Sequence, residues 1–109
     1  PGYHLSRTDE ARGVIAEVGR ANLKLQLDLY HCQIMEGDLV TRIHALAPIT
    51  GHVQVAGVPE RHEPDSGEIA FDRIMHELDA SGFTGWVGCE YRPAGETVAG
   101  LGWFAGYRE

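Results

Sequence analysis

Three short apolar runs in this chain each carry an oxygen-bearing side chain at or near the downstream end: Leu25-Gln26-Leu27-Asp28, His52-Val53-Gln54-Val55 and Trp86-Val87-Gly88-Cys89-Glu90. In residues 24–30, Leu25, Leu27 and Leu29 alternate with Gln26, Asp28 and Tyr30, the period of a strand with two unlike faces. The runs are separated by segments whose apolar residues fall at helical spacing. Strands that alternate with helices enter the sheet in parallel, since each helix carries the chain back to the same end. The downstream ends of such strands open on one face, so groups far apart in sequence converge there.

Ser6 is placed to cap a first helix, with Asp9 three residues on and Ala11, Val14, Ile15 and Val18 on one face, ending near Ala21 and Asn22. Leu39, Ile43 and Leu46 predict a second helix closed by Pro48, and residues 51–56 a second strand. Residues 57–67 are polar, hold Pro59 and Pro64, and read as an exposed loop. Phe71, Ile74, Met75 and Leu78 predict a third helix with Gly82 at its end, followed by a strand over 85–91. Thr97 is placed to cap a last helix through Val98, Leu101 and Ala105, although Gly100, Gly102 and Gly106 weaken it.

Spacing narrows the α/β class. Asp28 and Gln54 are 26 residues apart and Gln54 and Glu90 are 36 apart, near the roughly 30 residues per unit of an eight-fold barrel of about 250 residues. Residues 1–109 are therefore expected to be one partial domain of about three strand-helix units. The chain opens on a helix with no preceding strand to cover, which predicts a larger protein lacking its first part.

A formal charge of −7, with 16 acidic against 9 basic residues, opposes binding to a phosphate backbone, so no nucleic acid is expected as a partner. No apolar stretch approaches the roughly 20 residues of a bilayer span, and Pro1-Gly2-Tyr3-His4 does not resemble a signal peptide, so no membrane is expected and a cytoplasmic location is the default. Cys32 and Cys89 read as buried free thiols.

The strand-end residues each have a plain reading beside the chemical one. Asp28 interrupts an apolar alternation, where a carboxylate needs an ion, a hydrogen bond or a Lys or Arg from a neighbouring strand. Gln54 offers an amide oxygen to a hard cation, or a buried hydrogen bond. Glu90 lies at the downstream end of its strand, where barrel chemistry concentrates, or pairs with Arg61 or Arg92. An oxygen-only set favours magnesium or manganese over zinc. His52 shares the face of Gln54, as a partner behind a ligand or as filling of the barrel interior. His31 hydrogen-bonds substrate or caps the next segment, and Arg61 grips a carboxylate or belongs to a solvated loop. His4, His44 and His76 are expected at the surface.

Asp-Leu-Tyr-His at 28–31, Gly-His-Val-Gln-Val-Ala at 51–56, Pro-Glu-Arg-His-Glu-Pro at 59–64, Gly-Glu-Ile at 67–69 and Gly-Trp-Val-Gly-Cys-Glu-Tyr-Arg-Pro at 85–93 together resemble the hydroxypyruvate isomerase family. That family is a branch of the xylose isomerase-like barrels, close to the 2-oxo-tetronate isomerases and more distant from ketose 3-epimerases. The resemblance implies the carboxyl-terminal portion of a (β/α)8 TIM barrel, strands six to eight. It implies that Asp28, Gln54 and Glu90 hold a divalent metal, magnesium or manganese, that Glu90 is one of two proton-transferring glutamates, and that His31 and Arg61 contact a small hydroxy or oxo acid substrate. Gln54, where epimerase relatives carry His, favours the hydroxypyruvate isomerase branch. The family's other glutamate belongs to the fifth strand, before the segment matching Pro1 to Leu5, and so falls outside these residues.

The implied reaction interconverts hydroxypyruvate and tartronate semialdehyde through an enediolate. A neighbouring reading keeps the fold and changes the substrate to 2-oxo-tetronate or a related sugar acid or ketose. A third is an inactive fragment or interaction module, whose open sheet edge and barrel interior need cover from the remainder of the barrel or from another copy.

Overall fold

Alternating burial along the first two strands sets the architecture. A computed structural model describes residues 2–108. The chain runs α1 (Thr8–Val18), β1 (Leu25–Asp28), α2 (Leu29–Met35), α3 (Leu39–Leu46), β2 (Thr50–Val55), α4 (Phe71–Ala80) and β3 (Trp86–Cys89), with 3-10 turns at Ala47–Ile49 and Ala99–Tyr107. The three strands form one parallel sheet in the order β1-β2-β3. Leu27 pairs with Val53, and Val53 with Val87, so the apolar positions line up across the sheet.

Leu25, Leu27, Val53 and Val55 are buried on one face against Leu29, Ile43, Leu46, Ile74 and Leu78. The other face presents Gln26, Asp28, His52, Gln54 and Gly88, which are in register and not fully buried. None of the described helices is long and apolar enough to cross a membrane.

Several boundaries differ from the sequence expectation. The first helix is capped at Arg7, and Glu10 rather than Asp9 turns back, its carboxylate accepting the N–H of Ser6 at 2.9 Å and of Arg7 at 3.0 Å. Those bonds hold the Glu10 carboxyl below its ordinary pKa. The helix stops at Val18, where Gly19 adopts φ 65° and its N–H closes on the Ile15 carbonyl at 3.0 Å.

The first strand ends at Asp28, not Tyr30. Asp28 caps α2, a helix that period-two alternation concealed, by accepting the N–H of His31 at 3.1 Å. Leu29 remains buried because the first turn of α2 carries it to the same apolar side.

A buried carboxylate ties α1 to the α2–α3 corner. The Glu36 side chain is only 1% exposed and meets Arg42 Nη1 at 3.0 Å, while Thr8 donates to it from both N–H (2.9 Å) and hydroxyl (3.1 Å). The Arg42 Nε–H adds a bond to the Gly37 carbonyl at 2.9 Å. With this many partners the charge is tolerated where an unpaired one would be costly.

Cys32 is buried as expected, and burial followed by the nearby Glu36 charge pushes its thiol pKa to about 11. Cys89 is exposed, contrary to expectation. It shares the sheet register of Val55.

The glycine-rich tail forms a 3-10 turn over Ala99–Tyr107 instead of an α-helix. Glycines weaken an α-helix, and aromatic packing secures the segment instead. Trp103 and Tyr107 stand edge-on to Phe71 at 5.6 and 5.5 Å, and the Trp103 indole N–H reaches the Tyr91 hydroxyl at 3.4 Å.

Candidate active site at the strand ends

Parallel register brings the three strand-end groups together. Asp28 is the cross-strand partner of Gln54, Gln54 of Gly88, and Glu90 follows two residues beyond on the same face. The Glu90 N–H still reaches the Val55 carbonyl at 3.3 Å, which carries the sheet alignment one residue past β3.

A chain of amide bonds crosses these ends. Gln26 donates from its side-chain amide to the Gln54 oxygen, and Gln54 Nε2 donates to the Glu90 carboxylate at 2.8 Å. Gln26 was not singled out from sequence, although its place two residues before Asp28 puts it on the same strand face. Asp28 is met by His31, through the backbone N–H and with Nε2 at 3.9 Å from the carboxylate, rather than by a neighbouring-strand cation.

His31 therefore sits in the first turn of α2, not at a strand exit. The rings of Tyr3 and Tyr30 approach it edge-on at 5.6 and 5.2 Å. His52 lies below Gln54 on the same face, against β3. A Cβ at Gly88 would stand 2.9 Å from His52 Nε2, so glycine there leaves room for the ring.

The loop after β2 brings Arg61 over the strand ends. Gly67 closes it with φ 88°, and a side chain there would collide with the Val58 carbonyl. Arg61 adopts φ 64°, a left-handed conformation uncommon for a non-glycine residue. Its Nη2 lies 3.5 Å from Glu90 Oε1, and its guanidinium carbon 5.0 Å from the centre of the Tyr30 ring.

The same loop frames the chain leaving β3. The Arg92 N–H donates to the Arg61 carbonyl at 2.7 Å, His62 Nδ1 lies 2.8 Å from the Arg92 carbonyl, and the Glu63 carboxylate accepts the Ala94 N–H at 3.2 Å. His62 and Glu63 were not expected to matter. The signal was their place beside Arg61 in a proline-bounded run, where rigid backbone aims side chains reproducibly.

Asp28, His31, Gln54, Arg61 and Glu90 thus line one groove together with Tyr3 and Tyr30, while His52 is set back from it. His4 and His76 are exposed as expected. His44, also exposed, bonds Glu77 at 2.8 Å and so bridges α3 and α4. Among the described residues no three His, Cys, Asp or Glu side chains cluster as a metal cage. What the strand ends offer is two carboxylates and an amide oxygen, a hard donor set that fits magnesium or manganese better than zinc. The Gln54 oxygen would exchange its bond from Gln26 for such an ion.

Comparison with known proteins places this geometry. Residues 1–107 match the family described as xylose isomerase-like TIM barrel. The chain belongs to that family. It is similar to the 2-oxo-tetronate isomerase of Cupriavidus necator, with 51% identity over 98% of this chain and 41% of that protein. It is also similar to the hydroxypyruvate isomerase of Escherichia coli, with 46% identity over 99% of this chain and 42% of that protein.

Among solved structures, the one described as AP endonuclease, family 2, from Brucella melitensis superposes with a TM-score of 0.96 and 50% identity, covering all of this chain and 42% of that one. The 3-keto-D-glucoside 4-epimerase of E. coli follows the same path, with a TM-score of 0.83 and 29% identity over 93% of this chain and 40% of that one. The chain spans about two fifths of the length of the curated relatives it matches.

Proposed function

We propose that this chain contributes strands six to eight of a (β/α)8 barrel to an isomerase that interconverts hydroxypyruvate and tartronate semialdehyde. The carrying observation is the juxtaposition of Asp28, Gln54 and Glu90 on adjacent strand ends beneath Arg61. The 46% identity to the E. coli hydroxypyruvate isomerase supports the substrate class.

Asp28, Gln54 and Glu90 would hold a divalent cation, magnesium or manganese. When bound, it would polarise the substrate carbonyl and hydroxyl and stabilise the charge of the enediolate. Glu90 is suited to move the proton: its side chain lines the groove, and the amide of Gln54 fixes its orientation. Arg61 would bind the substrate carboxylate, for which a guanidinium offers two parallel donors. His31, held by Asp28 and by two aromatic rings, would hydrogen-bond a substrate oxygen.

In the protein at its full natural length, Glu90→Gln is expected to lower kcat about a hundredfold or more while leaving folding intact. Normal turnover by that variant would remove Glu90 from the proton-transfer role. The 109 residues alone are expected to be inactive, and metal-dependent turnover by them would contradict that.

The 51% identity to a 2-oxo-tetronate isomerase favours a second reading, with the same chemistry on a four-carbon acid. Assaying the full-length protein with both substrates separates the two by their ratio of kcat/KM.

A further inference from the structure

Arg61 is held in a way that its contact with Glu90 does not explain. A guanidinium and a carboxylate free to pair close to about 2.8 Å, commonly through two parallel bonds. Here a single nitrogen stands 3.5 Å from a carboxylate that is itself 60% exposed, while the Arg61 side chain is only 22% exposed, so Glu90 alone does not fix the guanidinium. The backbone at φ 64° disfavours this residue type, yet the loop keeps it there through the Arg61 N–H to the Gly57 carbonyl at 2.9 Å and the Arg92 N–H to the Arg61 carbonyl.

Tyr30 supplies the missing restraint. Its ring lies under the guanidinium at 5.0 Å, within the range of a cation–π contact, which strengthens as the cation loses water. Its hydroxyl donates to the Pro59 carbonyl at 3.2 Å, two residues before Arg61, so the same side chain fixes both the loop and the charge that the loop carries. Tyr30 also meets His31 edge-on at 5.2 Å and thus stands between two groups of the groove.

We propose that Tyr30 is a positioning residue, which holds the Arg61 guanidinium off Glu90 and presents it to the carboxylate of a small oxo or hydroxy acid. The proposal rests on the reading of Arg61 as the carboxylate contact. Tyr30 touches no reacting atom. It acts through Arg61, so its loss should weaken substrate binding and leave the proton transfer nearly unchanged.

The test uses the full-length protein with hydroxypyruvate. Position 30 carries Tyr, then Phe, then phenylalanine with one, two and three ring fluorines, which drain the negative face of the ring and keep its shape. Tyr30→Phe should raise KM about threefold through loss of the bond to Pro59. From Phe to the trifluorinated ring KM should rise about tenfold further, step by step, with kcat within about twofold.

In an Arg61→Ala background the fluorine series should be flat. A flat series in the native background, or a series that still rises without Arg61, overturns the proposal while leaving the role of Arg61 standing. If Arg61→Ala itself leaves KM unchanged, the reading of Arg61 falls and this inference with it. A purely structural role for Tyr30 would lower thermal stability without the graded dependence of KM on ring fluorination.

Discussion

The two faces of the β1-β2-β3 sheet use the same strands for different ends. On one, Leu25, Leu27, Val53 and Val55 are buried against α3 and α4. On the other, one residue along in each strand, Gln26, Asp28 and Gln54 form hydrogen bonds at the groove, with the His52 ring set back beneath them. The first face is specified mainly by apolar area and volume, for which another apolar residue of similar size serves at modest cost. The second depends on the identity of each atom. Stability and chemistry are thus separated by a single step of the strand period, and a register slip would exchange them.

Substitutions at neighbouring positions should divide along that line. In the full-length protein, Gln54→Leu is expected to lower kcat/KM about a hundredfold or more by removing an oxygen donor. Its midpoint in urea should stay close to the parent's. Leu27→Ala, from a side chain only 2% exposed, is expected to cost about 2–5 kcal/mol in urea unfolding while the remaining folded protein keeps its kcat. If Gln54→Leu unfolded the protein as readily as Leu27→Ala, the polar face would be a structural one.

Gly88→Ala probes the boundary between the faces. The added methyl would meet the far end of the His52 ring at 2.9 Å, and a side-chain tip yields more easily than backbone. The expected cost is about 1 kcal/mol of stability, with a larger relative loss of activity as the ring is displaced beneath Gln54. Adding His52→Ala should restore the stability; failure to do so would place the strain elsewhere.

The smallest effect belongs to the far side of the core, where Glu77 ties α4 to α3. The bond from His44, and then Arg73, holds its carboxyl below the ordinary value of 4.5. A group whose pKa is depressed on folding contributes stability above its unfolded value and loses it as pH falls through the folded one. The difference in Tm between the parent and Glu77→Gln should therefore be present at neutral pH and shrink in acid below about 4.5. Activity per folded molecule should not follow it.

Much of this was legible in the chain. Period-two alternation marks the first strand and short apolar runs the other two, and the helical spacing between them implies a parallel sheet. Asp28 was identified, but its role in capping α2 was hidden, since Leu29 and Tyr30 continue the strand alternation into the first helical turn. The 3-10 turn after Ala99 was foreshadowed by its glycines, while the ring contacts of Phe71 with Trp103 and Tyr107 join segments too far apart for a pattern to reveal. Cys89 reads as buried because its neighbours are apolar, yet its side chain is exposed, which a local pattern does not reveal. Tyr30 belongs to the Asp-Leu-Tyr-His run at 28–31, but alternates there like a strand aromatic; its contacts depend on a loop about thirty residues later, and only the folded chain brings the two together.

The left-handed backbone at Arg61 bears on how this protein could be improved and how it could be spoiled. A search for hardier variants that scored survival on heating alone would favour glycine or asparagine there, since either relaxes the main chain at that point. On the proposed role of Arg61, such a variant is expected to hold its shape longer and to bind substrate less well, which a Tm and a KM measured on the same protein would show. If Arg61 is the carboxylate contact proposed above, the position trades main-chain ease for function, as strained residues at functional sites commonly do.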